Sequence, residues 1–119
     1  MNSYKELIVW QKSFELAKAV YKITKKFPKE ETYGLTSQMR RASVSIPSNI
    51  AEGYSRKSRQ EYIQFVRIAF GSGAELETQL LLSKDLEFVD PDTIEKVYNQ
   101  LVEVMKMLNK LLSSLNPTP

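Results

Sequence analysis

From Val9 to Phe27 the chain places Trp10, Phe14, Ala17, Tyr21 and Thr24 at steps of three and four, which is the spacing of one helical face. Lys12, Lys18, Lys22, Lys25 and Lys26 fall off that seam, and Phe27-Pro28 ends the helix because the residue before proline is driven out of α geometry. After a polar loop, Leu35, Met39, Ala42, Ile46 and Ile50 form a second apolar stripe over residues 34–52, with Gly53 expected as the residue just past its end. Pro47 lies inside that stretch. It lacks an N–H and crowds the Ser43 carbonyl, which predicts a bend between Ser43 and Pro47.

Ser58-Arg59-Gln60-Glu61 has the form of a capping box and opens a third helix over residues 59–85, with a seam of Tyr62, Phe65/Val66, Ala69, Gly73, Leu76 and Leu80. Gly71-Ser72-Gly73 within it points to close approach by a neighbouring helix, since glycine costs helix propensity. Asp90-Pro91 announces a fourth helix over 91–115 as N-cap acid and first-turn proline. Its Ile94, Leu101, Leu108 and Leu115 recur every seven residues, with Val97/Tyr98, Val104/Met105 and Leu111/Leu112 between them. Four amphipathic segments joined by short connections predict an all-α fold, an antiparallel up-down-up-down four-helix bundle with long helices, as a single domain over 1–119.

Composition changes the picture mainly by exclusion. Cysteine and histidine are both absent, which removes disulfides, Cys-His and Ser-His-Asp nucleophiles, His-bearing di-iron sites and nearly every zinc site. No cofactor or metal is expected, and no enzymatic activity. Glu75 and Glu77, two apart on one helix, point in divergent directions and are not expected to share a metal. Gly71-Ser72-Gly73 lacks the ending of a phosphate loop. The N-terminal segment has no basic stretch followed by a long apolar run, and no stretch approaches a membrane span, so a cytoplasmic protein with no membrane partner is expected.

Net charge is only +3, but residues 1–60 carry 12 Lys+Arg against 5 Asp+Glu, whereas residues 61–119 carry 5 against 9. A basic half attracts phosphate, and a basic half beside an acidic one also favours self-association. Lys22, Lys25, Lys26 and Lys29 gather near the end of the first helix, and Arg56, Lys57 and Arg59 crowd the second loop; antiparallel topology sends these two groups to opposite ends of the subunit. For any single lysine the competing reading is a solvated surface charge. Tyr54, beside Arg56 and Lys57, is either a stacking platform for an unpaired base or a ring packed over the bundle end.

The second helix carries another ordered set, Gln38, Arg41, Ser45, Ser48/Asn49 and Glu52, which forms one polar stripe beside the apolar one. Three readings stand for it: an interhelical network reaching Glu75 or Gln79, a subunit interface, or the lining of a nucleic-acid groove. The first two are favoured because facing Arg and Glu satisfy each other's charge and fix register.

The same region is more distinctive than periodicity requires. Gln38-Met39-Arg40-Arg41-Ala42, Ser45-Ile46-Pro47-Ser48-Asn49-Ile50-Ala51-Glu52-Gly53, Ala69-Phe70-Gly71-Ser72, Glu75-Leu76 and Gln79-Leu80 resemble the four-helix-bundle family of 23S rRNA intervening-sequence proteins. Val9-Trp10-Gln11-Lys12 and the stretch from Phe27-Pro28 to Tyr33-Gly34-Leu35 fit the same pattern. The resemblance implies an antiparallel bundle that assembles as a ring-like homopentamer. It also implies kinship with the accessory variability determinant of diversity-generating retroelements, a nucleic-acid-binding partner of a reverse transcriptase.

Taken together these features lead to an expected non-enzymatic protein that binds RNA or DNA through Lys22, Lys25, Lys26, Lys29, Arg40, Arg56, Lys57 and Arg59 in a homo-oligomer. The rival is an assembly or adaptor protein that binds protein partners, for example a reverse transcriptase, or only itself. In that case the acidic residues Asp85, Glu87, Asp90, Asp92 and Glu95 face basic elements of a neighbour.

Overall fold

Leu16, Val20, Met39, Ile46, Ile50, Val66, Leu76, Leu80, Leu101, Val104 and Leu108 are fully shielded from solvent, and they come from all four predicted segments. The computed structural model describes residues 3–115. Its helices are α1 (Ile8–Thr24), α2 (Leu35–Tyr54), α3 (Arg59–Asp85) and α4 (Pro91–Leu115), with 3-10 turns at Tyr4–Glu6 and Lys29–Glu31. Each helix packs on its chain neighbours, and α4 closes on α1, while the diagonal pairs stay apart. The result is a square up-down-up-down bundle measuring 45 × 25 × 20 Å. No helix among the described residues is long and apolar enough to cross a membrane.

The local signals act largely as expected. Ser58 Oγ accepts from the Glu61 N–H at 3.3 Å, although the return bond from the Glu61 carboxylate is not formed. Asp90 caps α4 by accepting from the Thr93 N–H at 3.0 Å and from the Thr93 hydroxyl at 2.6 Å. These bonds, the hydroxyl's first, hold the Asp90 carboxyl below its ordinary range, with nearby Lys26 adding to the effect. The start of α2 is capped from outside the helix, by Glu31 Oε1 accepting from the Leu35 N–H. At the end of α1 the chain tightens after Thr24 into a turn that buries Phe27 against Phe88, with ring centroids 5.3 Å apart.

Three expectations need correction. The buried face of α1 is Val9, Ser13, Leu16, Val20 and Ile23 with Ala17 and Thr24, not the aromatic seam. Trp10 is half-buried, and Phe14 and Tyr21 remain 45% and 42% exposed. Helix α1 carries two adjoining apolar stripes, and the compact aliphatic one fills the narrow space between four helices. The rings lie on its flank toward α2.

Gly53 is not a terminator either. It sits inside α2 with ordinary negative φ, and the helix continues to Tyr54. A Cβ there would stand 2.7 Å from Phe65 Cβ and 3.0 Å from Tyr62 Cδ1, so glycine is required for α2 and α3 to meet. In the Gly71-Ser72-Gly73 stretch only Gly73 has that role, lying against the Met105 side chain, while Gly71 faces open space. Helix α2 is continuous through Pro47, as a bend without a break allows.

The α3–α4 turn uses a left-handed residue that sequence does not announce. Glu87 has φ of 59°, the Phe88 N–H donates to the Ser83 carbonyl and the Glu87 N–H donates to the Lys84 carbonyl, the paired bonds of a Schellman motif. Glycine normally fills this position because a Cβ is strained there. Glu87→Gly is therefore expected to raise stability by roughly 0.5 to 1 kcal/mol, read as a higher urea midpoint with unchanged slope.

Candidate nucleic-acid interface

The chain's charge asymmetry becomes a spatial one because the first two helices pack together as one layer. Helices α1 and α2 carry Lys12, Lys18, Lys22, Arg40 and Arg41 against only Glu15 and Glu52. Both carboxylates are committed within the chain: Glu15 pairs with Lys18 at 3.3 Å and Glu52 with Arg56 at 3.1 Å. In the opposite layer six cations of α3 and α4 face seven carboxylates. One cross-layer ion pair, Lys12 to Glu103 at 3.6 Å, is exposed and adds little stability.

The eight predicted phosphate-binding residues do not form one patch. Lys22, Lys25, Lys26 and Lys29 are exposed at the end of the bundle where α1 finishes. The acidic α3–α4 turn, with Asp85, Glu87, Asp90 and Asp92, is at that same end, joined through the Phe27–Phe88 contact. That end thus carries both signs side by side. Arg56, Lys57 and Arg59 lie at the far end, where they surround the start of α3. Lys57 borders a shallow cleft with Ser58, Gln60, Glu61, Gln64 and Phe65. Arg56 is held over the Phe65 ring, 5.0 Å from its centroid, in addition to its pairing with Glu52.

Arg40 has a structural engagement of its own. Its Nε donates to Thr24 Oγ1 at 2.9 Å, and its guanidinium lies over the Tyr21 ring, 4.7 Å from the centroid. It fastens α2 to α1 while remaining partly exposed. Tyr54 is the last residue of α2, half-buried and edge-on to Tyr62, with ring centroids 5.9 Å apart. Burial, with Tyr54 alongside, pushes the Tyr62 phenol above its ordinary value.

Gln38, Arg41 and Ser45 of the polar stripe of α2 border a cleft with α3, and the stripe's link across the helices is to neither Glu75 nor Gln79 but to a residue that sequence reading did not single out. Ser45 Oγ and Ser72 Oγ are 2.8 Å apart, and Asn49 Nδ2 donates to the Ser45 carbonyl at 2.7 Å and to its hydroxyl at 2.9 Å. Ser72 was legible only as part of a small-residue stretch, though it stands one turn before Glu75 on the same face. Around this hydroxyl pair Gln38, Arg41, Ala42 and Glu75 line an open cleft of about 300 Å³. Among the described residues, the side chains of Gln38, Arg41 and Glu75 make no hydrogen bond or ion pair, and Glu52 turns to Arg56. Gln79, one turn beyond Glu75, is buried with its Oε1 unpartnered.

Glu77 does diverge from Glu75. It accepts from the Tyr98 hydroxyl at 2.7 Å across α3 and α4, and this bond raises the Tyr98 phenol above its ordinary value. Among the described residues, no group of three or more carboxylates is arranged to hold a metal ion.

Comparison with proteins of curated function gives no match. Among solved structures, the chain is similar to a protein of unknown function from the S23 ribosomal protein family of Bacteroides thetaiotaomicron VPI-5482. The two share 27% sequence identity with a TM-score of 0.82, over 88% of this chain and 98% of that one. The family model described as 23S rRNA-intervening sequence protein matches residues 5–110, and the chain belongs to that family.

Proposed function

We propose that this chain is a non-enzymatic protein that binds RNA or DNA through its basic α1–α2 layer and works as the repeating unit of a ring-like homo-oligomer. The observation that carries the reading is the division of charge between layers, in which neither carboxylate of α1 and α2 is left to repel a polyanion. Binding of this kind is phosphate-driven and weakly sequence-specific, and each subunit of a ring repeats the same surface, which raises avidity for a long strand.

The α2–α3 cleft suits contact between copies. Arg41, Gln38 and Glu75 have unspent hydrogen-bonding capacity there, and Ile68 and Leu82 on α3, with Leu86 just past its end, are each about half exposed.

The test is a salt titration with a labelled oligonucleotide. Affinity is expected to fall linearly in log–log form, with a slope of about 0.7 per neutralised phosphate for a single strand. Changing Lys18 and Lys22 of α1 to Glu, at exposed positions, is expected to weaken binding and flatten that slope. Absence of binding at low ionic strength overturns the reading. If light scattering of that same protein shows an assembly, the adaptor function takes its place; a monomer at micromolar concentration removes the ring.

A further inference from the structure

The α1 aromatics that sequence assigns to the core are displayed on the flank of α1 that faces α2, in the basic layer. Trp10 and Phe14 stack with centroids 5.0 Å apart and planes 29° from parallel, and Tyr4 meets Trp10 edge-on at 5.3 Å. Two turns beyond Phe14, Tyr21 is steadied by the Arg40 guanidinium. One turn along α2 from Arg40, Val44 is 40% exposed. Beside this row stands the exposed Lys25, with Lys18 held in its pair with Glu15.

We infer that this row is a stacking platform for unpaired bases, so that the preferred ligand is single-stranded nucleic acid; the inference rests on the nucleic-acid reading above. Partly exposed flat rings beside cations match the two faces of a nucleotide, because every base has a π-face and every linkage a negative charge. A duplex hides its bases and offers only the phosphates. The surrounding charge favours an anionic occupant over an apolar one, since the layer is basic and its carboxylates are paired, and the flat rings favour bases over an acidic protein surface.

Trp10 is the chain's single tryptophan, so its fluorescence reports directly on the row. The full chain is titrated with oligothymidylate and, separately, with a blunt DNA duplex of equal length. The single strand is expected to bind at least about tenfold more tightly and to quench Trp10, as stacking on aromatic rings requires. Phe14→Leu and Tyr21→Leu keep apolar volume but remove the flat ring. Each is expected to weaken single-strand binding by about tenfold while leaving duplex binding unchanged.

Equal affinity for both ligands without quenching, or unchanged affinity in both variants, overturns the platform while leaving salt-dependent binding intact. Failure to bind either ligand at low salt removes the wider reading as well. If Phe14→Ser lowers the mass seen by light scattering without altering affinity, the row is a contact between copies and the inference falls.

Discussion

Leu76→Ala is expected to cost about 3 kcal/mol of folding stability, within the range of roughly 2 to 5 measured for such truncations of buried leucines. Leu76 is 0% exposed and belongs to the seam through which α3 meets the shared core. The loss has two parts. The removed atoms forfeit their transfer from water, and the neighbours, themselves anchored on four helices, cannot collapse into the space left behind. For a domain of this size it amounts to a large fraction of total stability and lowers the thermal midpoint by on the order of 10 °C. Leu81→Ala is the matched control, since Leu81 is on the same helix but 47% exposed, and should cost under about 1 kcal/mol. Equal losses at the two positions in urea denaturation would contradict the assigned core.

The second large effect sets three glycines against one another. Gly53→Ala must place a methyl group 2.7 Å from Phe65 Cβ and 3.3 Å from the Tyr62 carbonyl oxygen. Neither atom can swing away, because one is bound to the α3 backbone and the other belongs to it. The helices must separate, at a cost of about 2 kcal/mol that outweighs alanine's better helix propensity. Gly71→Ala meets nothing and is expected to stabilise by up to about 1 kcal/mol. Gly73→Ala falls between them, since its obstacle is the flexible Met105 side chain. Urea midpoints in the order Gly71→Ala, Gly73→Ala, Gly53→Ala are the expected result, and a Gly53→Ala midpoint at or above the parent's would disprove the close approach of α2 and α3.

The contrast between α1 and α2 shows what hydrophobic pattern can and cannot specify. In α2 a single apolar stripe is bordered by serines, arginines and a glutamate, and all five residues read as core are buried. In α1 the apolar arc is wide enough to hold two stripes of the same period, and the pattern alone cannot say which turns inward. That choice depends on the shape of the space left by the other three helices. Gly53 failed as a terminator for a related reason: glycine marks either a left-handed residue or a close approach, and only the neighbour's position decides. Glu87 occupies the left-handed place with a residue that carries no such signal.

The candidate site was legible in its charges but not in its grouping. That Lys25 and Arg59 lie at opposite ends follows from alternating helix direction, which the four seams already imply. That the acidic α3–α4 turn shares the Lys26 end follows from the same alternation. The Ser45–Ser72 bond required the register between α2 and α3, which is set by Gly53 against Phe65 and by Ser83 against Met39, 3.4 Å apart, and neither contact is visible in a one-dimensional pattern.

Three of the bundle's four helix pairings join elements adjacent in the chain, and only α1 against α4 brings distant segments together. Most of the native contacts therefore form by closing short loops, whose entropy cost is small. A helical topology of this kind folds on the microsecond-to-millisecond scale, far faster than sheet proteins of equal length. The α1–α2 hairpin, which carries the positive excess, is synthesised before α3 and α4, and the docking of α4 onto α1 is the step left to complete the core.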